Sequence, residues 1–192
     1  MKSGKVFTVR FRREREGRTH YKKRLRILLT SRHRLVVRKS LRNLQVSVVQ
    51  YSTKGDNVVL TVNSNFLNKL GWRAGTGNLP SAYLTGLAAG KEAIKKGINE
   101  VVLDIGLNKS VKGSRLYAAL AGAIDAGLKI PSDLQILPTK DRLSGEHIAK
   151  YAQLVKGDKS KYEKQFSNYL KTGLMPEDIV KHFNEVRGKI HG

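Results

Sequence analysis

The sequence predicts an α/β fold in which helices cover at least one face of a mixed β-sheet. Short segments rich in valine and leucine fill residues 34–63, and two segments with apolar residues at helical spacing follow, separated by a further apolar strand. The chain has 192 residues, of which 40% are hydrophobic, so it can bury one core. We expect a basic arm over residues 1–33, a central α/β domain over 34–138 and a helical extension over 139–192.

The arm is the most basic part of the chain. Of the 37 Lys and Arg residues, 16 lie within residues 1–42 beside only 2 acids, whereas the net charge of the whole chain is +22. Like charges at this density repel one another, so the segment needs an anionic partner. Arginine binds phosphate bidentately, and Phe11, His20 and Tyr21 are able to stack on unpaired bases. These features favour an RNA-binding arm that orders on binding. A solvated basic tail and a membrane-surface arm are the alternatives.

The first elements of the central domain are three strands over residues 34–39, 44–51 and 57–63. Apolar side chains alternate with mostly polar ones along the second strand, as expected for a strand with one buried face. The connections are short and contain turn residues, KGDN at 54–57 among them. The three strands therefore predict an antiparallel meander.

A strand flanked by two helices should follow. Pro80 and Ser81 open a helix that runs to about Lys96, and its glycines, Gly86 and Gly90, are expected to let it lie close to the sheet. Residues 100–106 form a short apolar run typical of a buried strand.

Beyond that strand, Ser114 is positioned to cap a second helix, which ends before Ile130 and Pro131. Three short helices are expected over residues 144–190, where apolar residues again recur at helical spacing. We interpret these apolar stripes as core contacts.

Several kinds of chemistry are excluded or disfavoured. The absence of cysteine excludes disulfides, thiol catalysis and cysteine metal sites. The five histidines have no metal-ligand spacing, so no metal and no cofactor is expected. Asp104 and Asp125 are the nearest candidates for a metal-dependent nuclease, but no third carboxylate accompanies them, which favours structural roles such as hydrogen bonds to loop N–H groups. No apolar run approaches a membrane span, and no signal peptide is evident, so we expect a soluble intracellular protein.

Two loops before predicted helices combine polar and basic residues. The glycines of GTGN at 75–78 either supply positive φ or form a phosphate cradle at a helix N-terminus. The second loop, residues 108–115, follows a buried strand, where α/β sheets place ligand contacts. From charge and position we expect these loops to contact nucleic acid through Thr76, Asn78, Ser81, Asn108, Lys112, Ser114 and Arg115.

Longer motifs carry a resemblance to a known family. The arginine-rich start RRxREGRTxYxKRLxxL, RLVVRKS, TGNLPSAYLTGLAAG and VLDIGL, followed by GSRLYAAL, resemble the 5S rRNA-binding ribosomal protein of the large subunit. This family is numbered eighteen in archaea and bacteria and five in eukaryotes. The resemblance covers roughly residues 5–190, and the helical tail is similar to the archaeal form.

The resemblance implies a non-catalytic, cytoplasmic protein of the central protuberance that anchors 5S rRNA to large-subunit rRNA and to neighbouring ribosomal proteins. It implies neither a membrane nor a small-molecule substrate as a partner. It also implies a ribonuclease H-like central fold without nuclease activity. By similarity, the 5S rRNA contacts would lie on Arg10, Arg12, Arg13, Arg15, Arg18, Thr19, Tyr21, Arg24, Arg38, Lys39 and Ser40. A metal-dependent nuclease and a general nucleic-acid-packaging protein remain the alternative functions.

Overall fold

A computed structural model describes residues 8–191, which form one four-stranded sheet with helices before, against and after it. The strands are β1 (His33–Lys39), β2 (Leu44–Gln50), β3 (Asn57–Asn63) and β4 (Val101–Asp104), and their order in the sheet is β3-β2-β1-β4. The pairs β1–β2 and β2–β3 are antiparallel, which confirms the meander. Because β4 pairs parallel to β1, the sheet is mixed as predicted.

Two helices cover one face of the sheet and supply many of the buried core residues. They are α4 (Leu79–Lys95) and α5 (Arg115–Asp125). The helix-facing side chains of the first two strands, such as Leu35, Val37 and Val46, are fully buried. Apolar burial of this kind is the main favourable contribution to folding.

The glycines of α4 have a different role from the one that the sequence predicts. A Cβ on Gly86 would lie 2.0 Å from the carbonyl oxygen of Ala119, and a Cβ on Gly90 would lie 2.6 Å from the Cβ of Ala126. Both contacts are with α5 and its C-terminal end, so these glycines allow two helices to approach each other rather than a helix to approach the sheet. Gly122 on α5 matches them, since its Cβ would lie 2.1 Å from the carbonyl oxygen of Tyr83.

The extension beyond residue 139 is more segmented than predicted. Instead of three helices after residue 144, the described part contains α7 (Glu146–Val155), α8 (Lys159–Gln165), α9 (Ser167–Lys171) and α10 (Ile179–His191), preceded by α6 (Lys140–Ser144). The predicted second helix divides at Phe166, whose buried ring contacts three tyrosine rings. Apolar side chains of α10, including Phe183 and Val186, join the core of the central domain.

The described part of the arm forms two helices, α1 (Arg12–Arg15) and α2 (Tyr21–Leu28). Residues 1–7 of the predicted arm lie outside the described residues. His20 caps α2, because its Nδ1 accepts a hydrogen bond from the N–H of Lys23 at 3.2 Å. Arg24 joins α2 to the β2–β3 turn, where both oxygens of Asp56 accept hydrogen bonds from Nη2 at 2.9 Å. A short α3 (Phe66–Lys69) follows β3.

Candidate nucleic-acid interface

The two loops that the sequence singled out meet the β1–β2 turn at one edge of the sheet. Strands β1, β3 and β4 all run in the same direction, so their carboxyl ends lie at the same edge. The N-termini of α4 and α5 also begin there, since each helix follows a loop from this edge. We call residues 38–43, 75–81 and 106–115 together the loop edge.

Hydrogen bonds connect the first two loops. The backbone of the β1–β2 turn is closed by Ser40, whose N–H donates to the carbonyl of Asn43 at 2.8 Å, while the N–H of Asn43 donates to Ser40 Oγ at 3.0 Å. Thr76 Oγ1 lies 2.9 Å from the carbonyl oxygen of Arg42 and 2.8 Å from Asn43 Oδ1. These contacts hold the turn in one position, which lowers the entropy lost on binding a partner.

Gly77 and Arg115 hold the third loop against the other two. Neither Gly75 nor Gly77 has a positive φ, so that explanation of the glycines is wrong. Gly77 is needed because a Cβ there would lie 2.8 Å from the carbonyl oxygen of Arg42. Arg115 Nη1 donates to the carbonyl of Gly77 at 2.8 Å, and the carbonyl oxygen of Leu41 lies 3.4 Å away.

A row of alternating charges runs along the face of the sheet opposite α4 and α5. Arg34 is buried in its centre with a side chain only 3% exposed; its Nη1 donates to Asp104 at 3.0 Å and its Nη2 lies 2.7 Å from Asp56. Arg24 contacts the far side of Asp56, and Arg38 Nη2 lies 3.3 Å from Asp104. Because arginine partners lie on both sides of each acid, the charges of the buried Asp104 and of the partly exposed Asp56 are both compensated.

The electrostatic effect of this row is visible at Asp56. Partial burial by itself raises the pKa of Asp56, but hydrogen bonds from Arg34 and Arg24, together with their charges, hold it below its ordinary value. The carboxylate therefore stays ionised at neutral pH and fixes α2 to the sheet.

The carboxylates considered for nuclease chemistry have structural roles, as the sequence favours. Asp104 is bonded to two arginines and also accepts the N–H of Gly106 at 2.8 Å. Asp125 accepts the hydroxyl of Tyr83 at 2.7 Å. Within residues 8–191 no three His, Asp or Glu side chains are grouped so that they could hold a metal ion. No helix in that same part is long and apolar enough to cross a membrane.

The arm presents most of its predicted contact residues to solvent. The side chains of Arg10, Arg12 and Arg18 are 64–79% exposed, and within residues 8–191 their ion pairs are with nearby glutamates at the surface. Arg15 is also exposed, and Arg13 Nε donates to Thr19 Oγ1 at 3.0 Å. Such surface pairs contribute little to stability, so a phosphate can replace the glutamate partner.

Other predicted residues lie in half-buried or paired positions. Tyr21 packs against Phe11 with a ring-centroid distance of 5.0 Å, which leaves Tyr21 half-buried. Arg24 is bound to Asp56, as described above. At the loop edge, Arg38 remains 45% exposed, whereas Lys39, Ser40 and Lys112 are exposed.

Four polar residues of the loops have internal partners or positions that the sequence did not predict. Ser81 is completely buried, and its hydroxyl donates to the carbonyl of Asn78, so its side chain is not accessible to a ligand in this conformation. Asn78 is the actual cap of α4, because its Oδ1 accepts the N–H of Ser81. Ser114 precedes α5 but its buried hydroxyl makes no cap bond. Asn108 donates to the carbonyl of Ile105 within its own loop.

The predicted contact residues do not include Leu41 and Arg42, which lie at the tip of the β1–β2 turn. Leu41 is 96% exposed, and Arg42 is exposed beside it while its carbonyl is held by Thr76. Their position between two strands of a basic meander was readable from the sequence. The contacts that make the turn rigid come from residues more than 30 positions away and could not be predicted from the sequence.

A basic arm, a rigid basic loop edge and structurally occupied carboxylates together are suited to a protein with a polyanionic partner. Comparison with known proteins agrees: residues 5–100 and 95–133 match the family described as "Ribosomal large subunit proteins 60S L5, and 50S L18". The chain is also 46% identical over 184 residues to "Large ribosomal subunit protein uL18" of Methanococcus maripaludis, covering 96% of this chain and 95% of that protein. The chain belongs to this family of large-subunit ribosomal proteins.

Proposed function

We propose that this chain binds 5S rRNA and anchors it to large-subunit rRNA in the central protuberance, without catalysing a reaction. The observation that carries the proposal is the combination of an exposed arginine-rich arm with a rigid basic loop edge on a member of this family. Two separate basic surfaces on one small domain are suited to hold two RNA segments together.

The two surfaces make different contributions to binding. Arginines of the arm contact phosphates and supply affinity that depends on salt, because each neutralised phosphate releases counterions. The loop edge is preorganised by Thr76 and Arg115, so it orients the RNA and recognises its shape. Specificity therefore depends on the folded domain, and much of the affinity depends on the arm.

We also propose that the helical extension contacts a neighbouring protein of the protuberance. Tyr151 and Leu154 on α7 are 46% and 82% exposed, and Met175 before α10 is 57% exposed. Tyrosine and methionine side chains are enriched where proteins meet. The surface of α8 is dominated by exposed lysines, which are suited to an electrostatic contact. The exposed apolar side chains of Tyr151, Leu154 and Met175 would contribute nothing to a purely electrostatic contact, so they favour a protein partner.

A salt-titrated binding experiment tests the main proposal. The full chain is titrated with 5S rRNA and, in competition, with transfer RNA, over salt concentrations from about 0.05 to 0.3 M. We expect a preference for 5S rRNA that persists at about 0.15 M salt. Equal affinities that fall together as salt rises would contradict the proposal, because they would indicate electrostatic attraction alone.

A matched pair of triple variants separates the arm from the general charge. Replacing Arg12, Arg15 and Arg18 by alanine should reduce the slope of log affinity against log salt by about 2–3, because up to three phosphate contacts are lost. The control replaces three exposed cations of the extension by alanine and removes the same charge. These are Lys159, Lys164 and Lys171. Identical losses in both variants would refute a specific role of the arm.

A further inference from the structure

A cleft of about 710 Å³ opens between α2 and the face of the sheet that α4 and α5 leave uncovered. Much of its apolar lining comes from the strands and from the segment after β4, in particular from Val36, Val49, Val58 and Ile105. Other lining residues include Ile27 of α2 and Tyr117 and Leu120 of α5. Sites of roughly 300–1,000 Å³ with apolar walls are typical of those that hold a small organic group. We call this space the arm cleft.

The charges around the arm cleft are distributed unevenly. Six Lys or Arg residues and three Asp residues line it. Three of the cations are the arginines of the charged row, which Asp56 and Asp104 already compensate. The others are Arg13, Arg18 and Lys23, which are exposed on the arm. More net positive charge is therefore available at the arm side of the cleft than at the sheet, where three arginines face two carboxylates.

Arg34 supplies a second observation at the base of the cleft. Its Nε is buried and has no hydrogen-bond partner among the described residues, and an unpaired buried donor is costly. The two carboxylates that flank its guanidinium would repel a phosphate placed beside it. A neutral acceptor would satisfy Nε without that repulsion. The atom is covered in this conformation, so a base reaches it only when neighbouring side chains move on binding.

We propose that the arm cleft receives the base of one unpaired nucleotide of the bound RNA. The flat base lies on the apolar lining, and a carbonyl oxygen or ring nitrogen of the base accepts a hydrogen bond from Arg34. The phosphate of the same nucleotide is held by Arg13, Arg18 and Lys23. The inference rests on the proposed function in one respect only, namely that the anionic partner is RNA.

This arrangement assigns recognition of unpaired RNA to a surface separate from the loop edge. Unpaired bases are what most RNA-binding proteins read, because the deep major groove of an RNA duplex is inaccessible to side chains. A base in the arm cleft would also hold α2 against the sheet. The arm would then contribute more than charge, since its position would determine which nucleotide can enter.

Val58→Trp tests the inference, because Val58 lines the cleft and is 55% exposed, so a larger side chain can fill the space at little cost to folding. The full chain is titrated with oligouridylate, oligoadenylate, an RNA duplex of equal length and 5S rRNA. We expect the variant to lose about tenfold in affinity for the single strands and for 5S rRNA. Affinity for the duplex should change less than about twofold, and the salt slope should be unaffected.

Leu154→Trp is the matched control, since it adds the same ring at an exposed position of the extension. Melting temperatures of both variants that equal the wild-type value show that folding is intact. The inference is wrong if Val58→Trp weakens binding of the duplex and of the single strands equally, since that indicates a site for phosphate only. It is also wrong if the substitution weakens binding of neither RNA, since the cleft is then left to a protein segment. If the wild-type chain does not prefer 5S rRNA to transfer RNA, the proposed function fails, whereas the single-strand-to-duplex ratio still decides the inference.

Discussion

Replacing Gly86 by alanine should destabilise the domain more than any surface substitution, because it pushes apart the two helices that cover the sheet. The added Cβ would lie 2.0 Å from the carbonyl oxygen of Ala119 and 2.7 Å from its carbonyl carbon. Both obstacles are backbone atoms of α5, which cannot rotate away as a side chain can. Real Cβ atoms are essentially never closer than 3.0 Å to such atoms, so the helices must separate by about 1 Å.

The expected loss combines two opposing effects. Alanine is favoured over glycine inside a helix by about 1 kcal/mol, which partly offsets the clash. Overpacking a tight core typically costs about 1–3 kcal/mol and exceeds this range when the backbone has to move. The contact also involves buried small residues on both helices, such as Ala89 and Ala123, whose packing would be lost together. We expect a net loss of about 2–3 kcal/mol, which corresponds to a fall in Tm of roughly 5–10 °C for a chain of this size.

Thermal and urea unfolding of the purified variants would measure this loss. Gly188→Ala is the control, because Gly188 also lies in a helix, α10, and nothing stands within 4 Å of an added Cβ. This substitution should leave stability unchanged or raise it by up to about 1 kcal/mol. Equal melting temperatures for Gly86→Ala and the wild type would refute the argument, since they would mean that the helices separate without cost.

Two further predictions concern pH. The charged row lowers the pKa of Asp56, so its contribution is present above the ordinary value of 3.8 and is lost as the pH falls through the folded-state pKa. Asp56→Asn should therefore lower the free energy of unfolding by about 1–2 kcal/mol at neutral pH. In acid unfolding experiments the difference from the wild type should shrink below pH 3.8. A difference that stays constant with pH would contradict the prediction. Burial lowers the pKa of His182 against the opposing effect of Glu185, and its Nε2 accepts the N–H of Arg73 at 3.0 Å. Stability, measured by Trp72 fluorescence during unfolding, should fall in the wild type as the pH drops below about 6.5, and it should fall less in His182→Gln. Parallel curves of stability against pH for the two proteins would exclude this histidine as the cause.

Much of the central fold was predictable because its signals are local. The third strand has the predicted bounds, 57–63, and the first two differ from prediction by one residue. Alternating apolar residues and short turns are sufficient to predict an antiparallel meander, since neighbouring strands pair through adjacent chain segments. The extension was predicted less well, because the second predicted helix divides at Phe166. No local sequence pattern indicates that the ring of Phe166 is the centre of an aromatic cluster.

The loop edge shows why site residues were only partly predictable. Polar residues in a loop before a helix are equally suited to cap the helix, to join two loops or to contact a ligand. Thr76 joins loops, Asn78 caps α4 and Ser81 is buried beneath it. Which of these roles each residue has depends on partners such as Arg42, more than 30 positions away, and on burial that only the folded chain defines.

By itself the sequence determined the class of the protein. Its charge, the concentration of arginine in the arm, the absence of cysteine and the order of strands and helices are properties of composition and local pattern, and they point to a basic α/β protein that binds RNA. The tertiary structure decided how these parts are combined. It placed Arg34 between Asp56 and Asp104, let α4 and α5 meet at glycines, and opened the arm cleft on the remaining face of the sheet. These features depend on contacts between distant segments, whose geometry is fixed only when the whole core is packed.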